Sequence, residues 1–114
     1  MATIVKLIIT NERGLLAKRN HGGIYDFPKD GSMPNEYARE TVERMCKYLR
    51  ITPKNITTNG ILRRKYDFYI FFNVEPEEDI SNHEMFVSYQ DFIDNCESEF
   101  AFLAKLEQER EQSI

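Results

Sequence analysis

The segment from Tyr66 to Val74 constrains the fold of this chain more than any other feature. An extended strand would place Phe68, Ile70, Phe72 and Val74 on one face and Tyr69 and Phe71 on the other. Because both faces are apolar, the strand is predicted to lie in the middle of a sheet that is covered on both sides. The chain has 114 residues, a length suited to one core, so we predict a single domain over residues 1–114.

The residues around this strand predict a mixed α/β chain. β-Branched runs and alternating patterns indicate strands, clustered glycines and prolines indicate loops, and apolar residues three or four apart indicate helices. The helix after Asn35 has the clearest pattern, with Ala38, Val42, Met45 and Leu49 on one face. In chain order we predict a strand over 3–9, a hairpin strand over 15–19, a loop over 20–35 containing a short strand at 24–27, a helix over 35–50, strands over 55–64 and 84–89, and a helix from about Asp91.

Charge and composition narrow the classes of partner. The formal net charge is −4, which disfavours binding to duplex nucleic acid because such binding depends on clustered Lys and Arg. Cys46 and Cys96 are far apart in the sequence, and free thiols in a reducing compartment are the expected state. The two apolar runs, residues 1–10 and Phe68 to Phe72, are both too short to cross a membrane. These features predict a cytoplasmic protein without a membrane anchor.

Four segments occur in an order that resembles the Nudix hydrolases over nearly the whole chain. The most specific are Tyr25-Asp26-Phe27-Pro28-Lys29, similar to the family's Phe-Pro turn, and Glu84-Met85-Phe86-Val87-Ser88, similar to a later strand that introduces a helix. Between them, Arg39-Glu40 resembles the Arg-Glu pair of the family's helical motif. The four segments are LLAKR (15–19), GGIYDFPKDG (22–31), EYARETVERM (36–45) and HEMFVSYQDFI (83–93).

This resemblance implies a Nudix-like α/β/α sandwich with a mixed β-sheet between helices. It also implies Mg²⁺-dependent, or Mn²⁺-dependent, hydrolysis of a nucleoside diphosphate linked to another group. Divalent ions held by carboxylates would neutralise the phosphate oxygens and lower the pKa of an attacking water. A nucleotide-type small molecule is therefore the expected partner.

The carboxylates of the predicted helix are the candidate metal ligands. At about 100° per residue, Glu36, Glu40 and Glu43 would fall within an arc of roughly 60° on a helix that begins at Asn35. We predict that all three bind the metal and that Glu40 and Glu43 are catalytic. Ordinary solvated pairing with neighbouring arginines along an exposed helix accounts for the same residues equally well.

The helix departs from the family's motif, and the departure depends on the alignment. If Arg39-Glu40 is matched to the family's Arg-Glu, then Glu40 and Glu43 fall on two ligand positions and Arg44 falls on the third. If the apolar positions are matched instead, Thr41, Arg44 and Met45 occupy the ligand positions. The loop before the helix is also shorter than usual, and only Asp30 and Gly31 resemble its conserved pattern.

Basic and aromatic residues near the Phe-Pro turn are the candidate substrate contacts. Lys18, Arg19 and Lys29 could hold phosphate oxygens, and Tyr25 could stack on a base. Solvated surface charge and a core aromatic ring are the alternative interpretations. Three hypotheses follow: a Mg²⁺-dependent pyrophosphohydrolase, which we favour, a catalytically degenerate Nudix fold that binds a nucleotide or a protein partner without hydrolysis, or an unrelated α+β interaction module.

Overall fold

The computed structural model of the chain describes residues 2–79 and 85–112. It is a mixed α+β structure, as predicted. Its elements are β1 (Ala2–Ile8), β2 (Thr10–Asn11), β3 (Gly14–Leu16), β4 (Lys18–Arg19), β5 (Tyr25–Asp26), β6 (Lys29–Gly31), α1 (Ala38–Leu49), β7 (Pro53–Arg64), β8 (Asp67–Pro76), β9 (Phe86–Val87), α2 (Tyr89–Asp94) and α3 (Ser98–Gln112). No helix among the described residues is long and apolar enough to cross a membrane.

The chain divides into two compact units. The first comprises Met1–Ile9 and Pro28–Ile80, and the second comprises Thr10–Phe27 and Ser81–Ile114. The chain therefore alternates between the units, so neither unit is a continuous segment. Whether the two behave as the single domain predicted from length stays a prediction.

The first unit contains a four-stranded mixed sheet in the order β6-β1-β8-β7. Strand β8 pairs parallel to β1 and antiparallel to β7, while β1 pairs antiparallel to β6. This arrangement confirms that the aromatic strand is an interior strand of its sheet. Phe71 and Phe72 of β8 are buried on opposite faces, together with Val5 and Leu7 of β1.

Helix α1 packs on this sheet through contacts with β1, β6 and β7. Its buried residues are Thr41, Val42, Met45 and Cys46. The prediction that the helix begins at Asn35 is wrong, because Asn35 has φ 65° and that left-handed conformation cannot continue a right-handed helix. The helix ends where Arg50 takes the left-handed conformation at φ 59° and ψ 41°.

The second unit holds the remaining strands and two helices. Strand β3 pairs with β2 and β9, and β4 pairs with β5. The turn at Asn11 closes as predicted, since Asn11 Oδ1 accepts hydrogen bonds from the backbone N–H groups of Arg13 and Gly14. Gly14 has φ 137°, and a Cβ atom there would collide with the carbonyl oxygen of Val87. Only glycine fits this position without rearrangement.

Three further boundaries differ from the sequence predictions. Strand β6, at the exposed edge of the first sheet, lies in the segment predicted as loop, where its polar residues show no strand pattern. Ser88 caps α2 by accepting a hydrogen bond from Asp91 N at 3.1 Å, so the strand predicted over 84–89 ends at Val87. The C-terminal helix is divided, with α2 ending at Asp94 and α3 starting at Ser98. Glu84 lies outside the described residues.

Candidate functional site

Glu36 lies in the turn before α1, and its carboxylate folds back onto Arg44. Arg44 Nε donates to Glu36 Oε2 at 3.1 Å, and Arg44 Nη2 donates to Glu36 Oε1 at 3.0 Å. This two-point contact between a guanidinium and a carboxylate is both strong and geometrically specific. Because α1 starts only at Ala38, Glu36 does not share a helical stripe with Glu40 and Glu43, and the predicted arc of three glutamates is wrong.

Arg44 also bonds to the strand that precedes this turn. Its Nη1 donates to Asp30 Oδ2 at 2.8 Å, and its Nη2 donates to the carbonyl oxygen of Gly31 at 3.0 Å. The guanidinium thus connects two carboxylates, one from β6 and one from the turn. We call Asp30, Glu36, Thr41 and Arg44 the Arg44 cluster.

Two neutral groups also donate hydrogen bonds to Glu36. Thr41 Oγ1 donates to Glu36 Oε1 at 2.7 Å, and Met33 N donates to the same oxygen at 3.0 Å. Thr41 is fully buried and lies 2.8 Å from Ser32 Oγ. The site is therefore built by the packed face of α1 together with the β6 strand and the turn that follows it.

The charges of the cluster are held in place by these contacts. The hydrogen bond from Arg44, followed by those from Met33 and Thr41, lowers the pKa of Glu36 from 4.5 to about 2. Glu36 and Asp30 together raise the pKa of Arg44 above its ordinary value. At neutral pH the cluster contains one permanent cation and two carboxylates.

The other two predicted metal ligands have different surroundings. Glu40 Oε1 accepts a hydrogen bond from Tyr37 N at 3.0 Å and so caps the first turn of α1. Glu43 is exposed, and its Oε1 lies 3.9 Å from Arg39 Nε. Within residues 2–79 and 85–112, no group of three or more His, Cys, Asp or Glu side chains could hold a metal ion.

The residues of the Arg44 cluster do not fit a divalent cation as they stand. Mg²⁺ requires oxygen ligands with free lone pairs, whereas both oxygens of Glu36 accept hydrogen bonds from a guanidinium. The same guanidinium donates to Asp30. A metal ion beside these carboxylates would have to displace a bound cation, and repulsion between the two positive charges opposes that exchange.

Three of the four predicted substrate contacts lie together in the second unit. Lys18 and Arg19 of β4 pair with Asp26 and Tyr25 of β5. Arg19 Nη2 donates to Tyr25 Oη at 2.9 Å, and its Cζ lies 4.8 Å from the centre of the Tyr25 ring. The Tyr25 ring is stacked on Phe92, with ring centres 6.3 Å apart. The Tyr25 ring rests on the buried ring of Phe92 and thus positions the Arg19 guanidinium. The sequence did not suggest this role for Tyr25.

Lys29, the fourth predicted contact, belongs to the first unit. It is an exposed residue of β6 and stands opposite Lys6 of β1 in the sheet register. Lys6 is only 1% exposed, and its Nζ lies 5.0 Å from the centre of the Tyr69 ring. The sequence does not predict that Lys6 is buried, because the alternation of β1 marks it simply as one polar residue of a strand.

Comparison with known proteins relates the fold, and not the sequence, to a family. No family model matches the chain, and no curated protein matches it in sequence. A solved structure from Chromobacterium violaceum, whose own assignment to the Nudix hydrolase family is provisional, superposes with a TM-score of 0.60 at 11% sequence identity. The match covers 69% of this chain and 53% of that one, so the chain spans about half the length of the solved structure.

The fold is Nudix-like. This confirms the predicted fold class, a mixed sheet combined with helices in the manner of that family. At this identity the likeness concerns the fold alone and leaves the site residues to be judged by their own contacts.

The two alignments of α1 with the family's motif give the same result for Arg44. Matching Arg39-Glu40 to the family's Arg-Glu puts Arg44 on a ligand position, and matching the apolar residues also puts Arg44 on one. Thr41 and Met45, which join it in the second alignment, are both buried. In both alignments the residue that corresponds to one of the family's metal ligands is therefore Arg44, which binds Asp30 and Glu36 in this chain.

Proposed function

We propose that this protein is a Nudix-fold binding protein for an anionic, nucleotide-type small molecule, and that it does not hydrolyse its ligand through Mg²⁺ held by the α1 glutamates. The observation that carries the proposal is the Arg44 guanidinium, which donates to both oxygens of Glu36 and to Asp30. The degenerate-binder hypothesis is thereby favoured over the hydrolase hypothesis. Hydrolysis through Glu40 and Glu43 becomes the competing outcome of the test.

The surroundings of the three glutamates support this proposal. Glu36 is engaged by Arg44, Glu40 caps the helix, and Glu43 faces solvent beside Arg39. In a metal-dependent hydrolase several carboxylates converge on one ion and leave room for a water nucleophile. Here each glutamate has a structural or solvated role that needs no metal.

The hairpin of β4 and β5 supports the choice of ligand class. Lys18 and Arg19 are exposed there, and Tyr25 orients the guanidinium of Arg19. A planar, oriented guanidinium suits two-point binding of a phosphate oxygen pair or stacking on a base. We therefore assign Arg19 as the central ligand contact, with Lys18 as a supporting charge.

The test combines turnover and binding measurements on one panel. Nucleoside diphosphate derivatives, dinucleotides and capped RNA are incubated with and without Mg²⁺ or Mn²⁺, and binding is followed by calorimetry. We expect saturable binding of at least one compound without metal-dependent cleavage. We expect Arg19→Gln to weaken that binding about tenfold, as loss of a charged hydrogen bond should.

Further variants test the competing hydrolase hypothesis and provide a control for Arg19→Gln. Glu40→Gln and Glu43→Gln remove one charge each without a change of size. Metal-dependent cleavage that either substitution abolishes would overturn the proposal and restore these residues as ligands. Arg13→Gln, on the exposed turn after β2, removes an equivalent cation and should leave ligand affinity unchanged.

A further inference from the structure

The first unit contains a surface cleft of about 430 Å³ beside α1. The helix borders the beginning of β7 there, and Arg39 Nη1 donates to the carbonyl oxygen of Ile56 at 3.4 Å. The volume lies within the range of small-molecule sites. The residues that matter for binding are Arg39, Glu43, Lys47, Ile51, Lys54 and Ile56.

Cations outnumber carboxylates around this cleft. Arg39, Lys47 and Lys54 line it, and Glu43 is the one carboxylate among its lining residues. Arg39 and Glu43 are 3.9 Å apart and more than half exposed, and Lys54 lies 3.8 Å from the exposed Glu75. Such surface pairs contribute little free energy, so an anionic ligand can replace them at small cost.

The base of the cleft is neutral and largely apolar. Cys46 and Ile51 are buried, and Ile56 is partly exposed. Burial raises the pKa of the Cys46 thiol to about 11, so it carries no charge at neutral pH. A ligand that fits both parts of the cleft needs an anionic group and an apolar body.

We infer that this cleft binds a small organic phosphate, with the phosphate between Lys47 and Lys54 and the apolar body against Ile51 and Ile56. A dianionic phosphate matches an excess of positive charge better than a single carboxylate does. The net charge of −4 for the whole chain disfavours a long polyanion in this position. This site is separate from the Arg19 hairpin proposed above, because its residues all belong to the first unit.

Phenyl phosphate is a suitable probe, with benzyl alcohol and inorganic phosphate as partial analogues. Titrations followed by ¹H–¹⁵N NMR should show saturable shifts at the amides of Lys47, Ile51 and Ile56. We expect benzyl alcohol to produce no saturable shifts and inorganic phosphate to bind more weakly than phenyl phosphate.

Charge-removing variants test the assignment of individual residues. Lys47→Gln and Lys54→Gln should each weaken phenyl phosphate about tenfold, whereas Lys105→Gln, an exposed position on α3, should not. Glu43→Gln should tighten binding, because it removes the opposing carboxylate. A native-like NMR spectrum of each variant establishes that it is folded.

Two results would overturn the inference. One is an unchanged affinity for phenyl phosphate in the Lys47→Gln, Lys54→Gln double variant. The other is that phenyl phosphate shifts the amide signals of all exposed lysines by similar amounts. Arg19→Gln separates this site from the proposed function. It should weaken nucleotide binding about tenfold and leave the phenyl phosphate shifts at Ile51 and Ile56 in place, so either proposal can fail alone.

Discussion

Arg44 uses its Nε and both of its terminal nitrogens in contacts with two carboxylates and a backbone carbonyl. A guanidinium holds five N–H donors in one rigid plane, so it can make a two-point contact with Glu36 and still donate to Asp30, whereas the three N–H donors of a lysine ammonium share one nitrogen and offer no such planar fork. The position of this one side chain decides whether the carboxylates around α1 are available to a metal.

Replacing the guanidinium with a carboxylate should create metal affinity. In Arg44→Glu the cluster would contain three carboxylates and no cation, so we expect Mg²⁺ or Mn²⁺ to raise the melting temperature of the variant but not of the wild type. At about a hundredfold excess over Kd, the added stability would be about 3 kcal/mol. Differential scanning calorimetry with metal and with EDTA at equal ionic strength measures the effect.

Arg39→Glu is the matched control, since it makes the same charge change on the same helix outside the Arg44 cluster. It should show no metal-dependent rise. An Arg44→Glu variant that responds to metal no more than the wild type would show that the cluster has the wrong geometry for a metal, even without its cation.

Glu36 should make stability depend on pH in the acid range. Its pKa is lowered from 4.5 to about 2 in the folded protein, so its stabilising contribution is present above the unfolded value and is lost as pH falls through the folded value. Wild type should therefore be more stable than Glu36→Gln by a constant margin above about pH 5, and the margin should shrink towards pH 2. Urea unfolding at a series of pH values measures it.

Glu43→Gln is the comparison for this pH dependence, because Glu43 has only a long, exposed pair with Arg39. The margin for that variant should stay near zero across the range. If the Glu36→Gln margin were equally flat down to pH 2, the hydrogen bonds from Arg44 and Thr41 would not persist in solution.

Among the elements, α1 shows how local sequence signals and tertiary contacts combine. Its apolar spacing predicted the helix and the burial of Val42 and Met45. Its start was misplaced because Asn35 and Glu36 have no strong local preference against a helix, and the contacts of Glu36 with Arg44 and Thr41 form only in the folded chain.

The C-terminal end of α1 provides an element-scale prediction. Arg50 adopts the left-handed conformation at φ 59°, in which a Cβ atom is disfavoured by about 1 kcal/mol relative to glycine. Arg50→Gly should therefore raise the free energy of unfolding by about 0.5–1 kcal/mol. Chemical denaturation measures this, with Arg50→Ala as the control that keeps the Cβ atom and should bring no such gain.

At the scale of the whole molecule, the sequence predicts one domain while the contacts define two compact units. Each unit consists of two segments, and each is small for a core that is stable by itself. We therefore expect one cooperative unfolding transition. Hydrogen exchange in mild denaturant should give the same opening free energy for the slowest amides of β8 and of α2, and two distinct values would show that the units unfold independently.

The sequence by itself predicted a mixture of strands and helices, the interior position of the aromatic strand and the existence of α1, because alternation and helical spacing are patterns within single segments. Arg19 and Tyr25, which the sequence offers as candidate ligand contacts, lie close together along the chain and contact each other in the structure. Only the tertiary structure decided that Arg44 binds Asp30 and Glu36 and that Lys47 and Lys54 line the same cleft. Those contacts join residues from different elements, and their geometry depends on how α1 packs on the sheet, which no pattern within one element specifies.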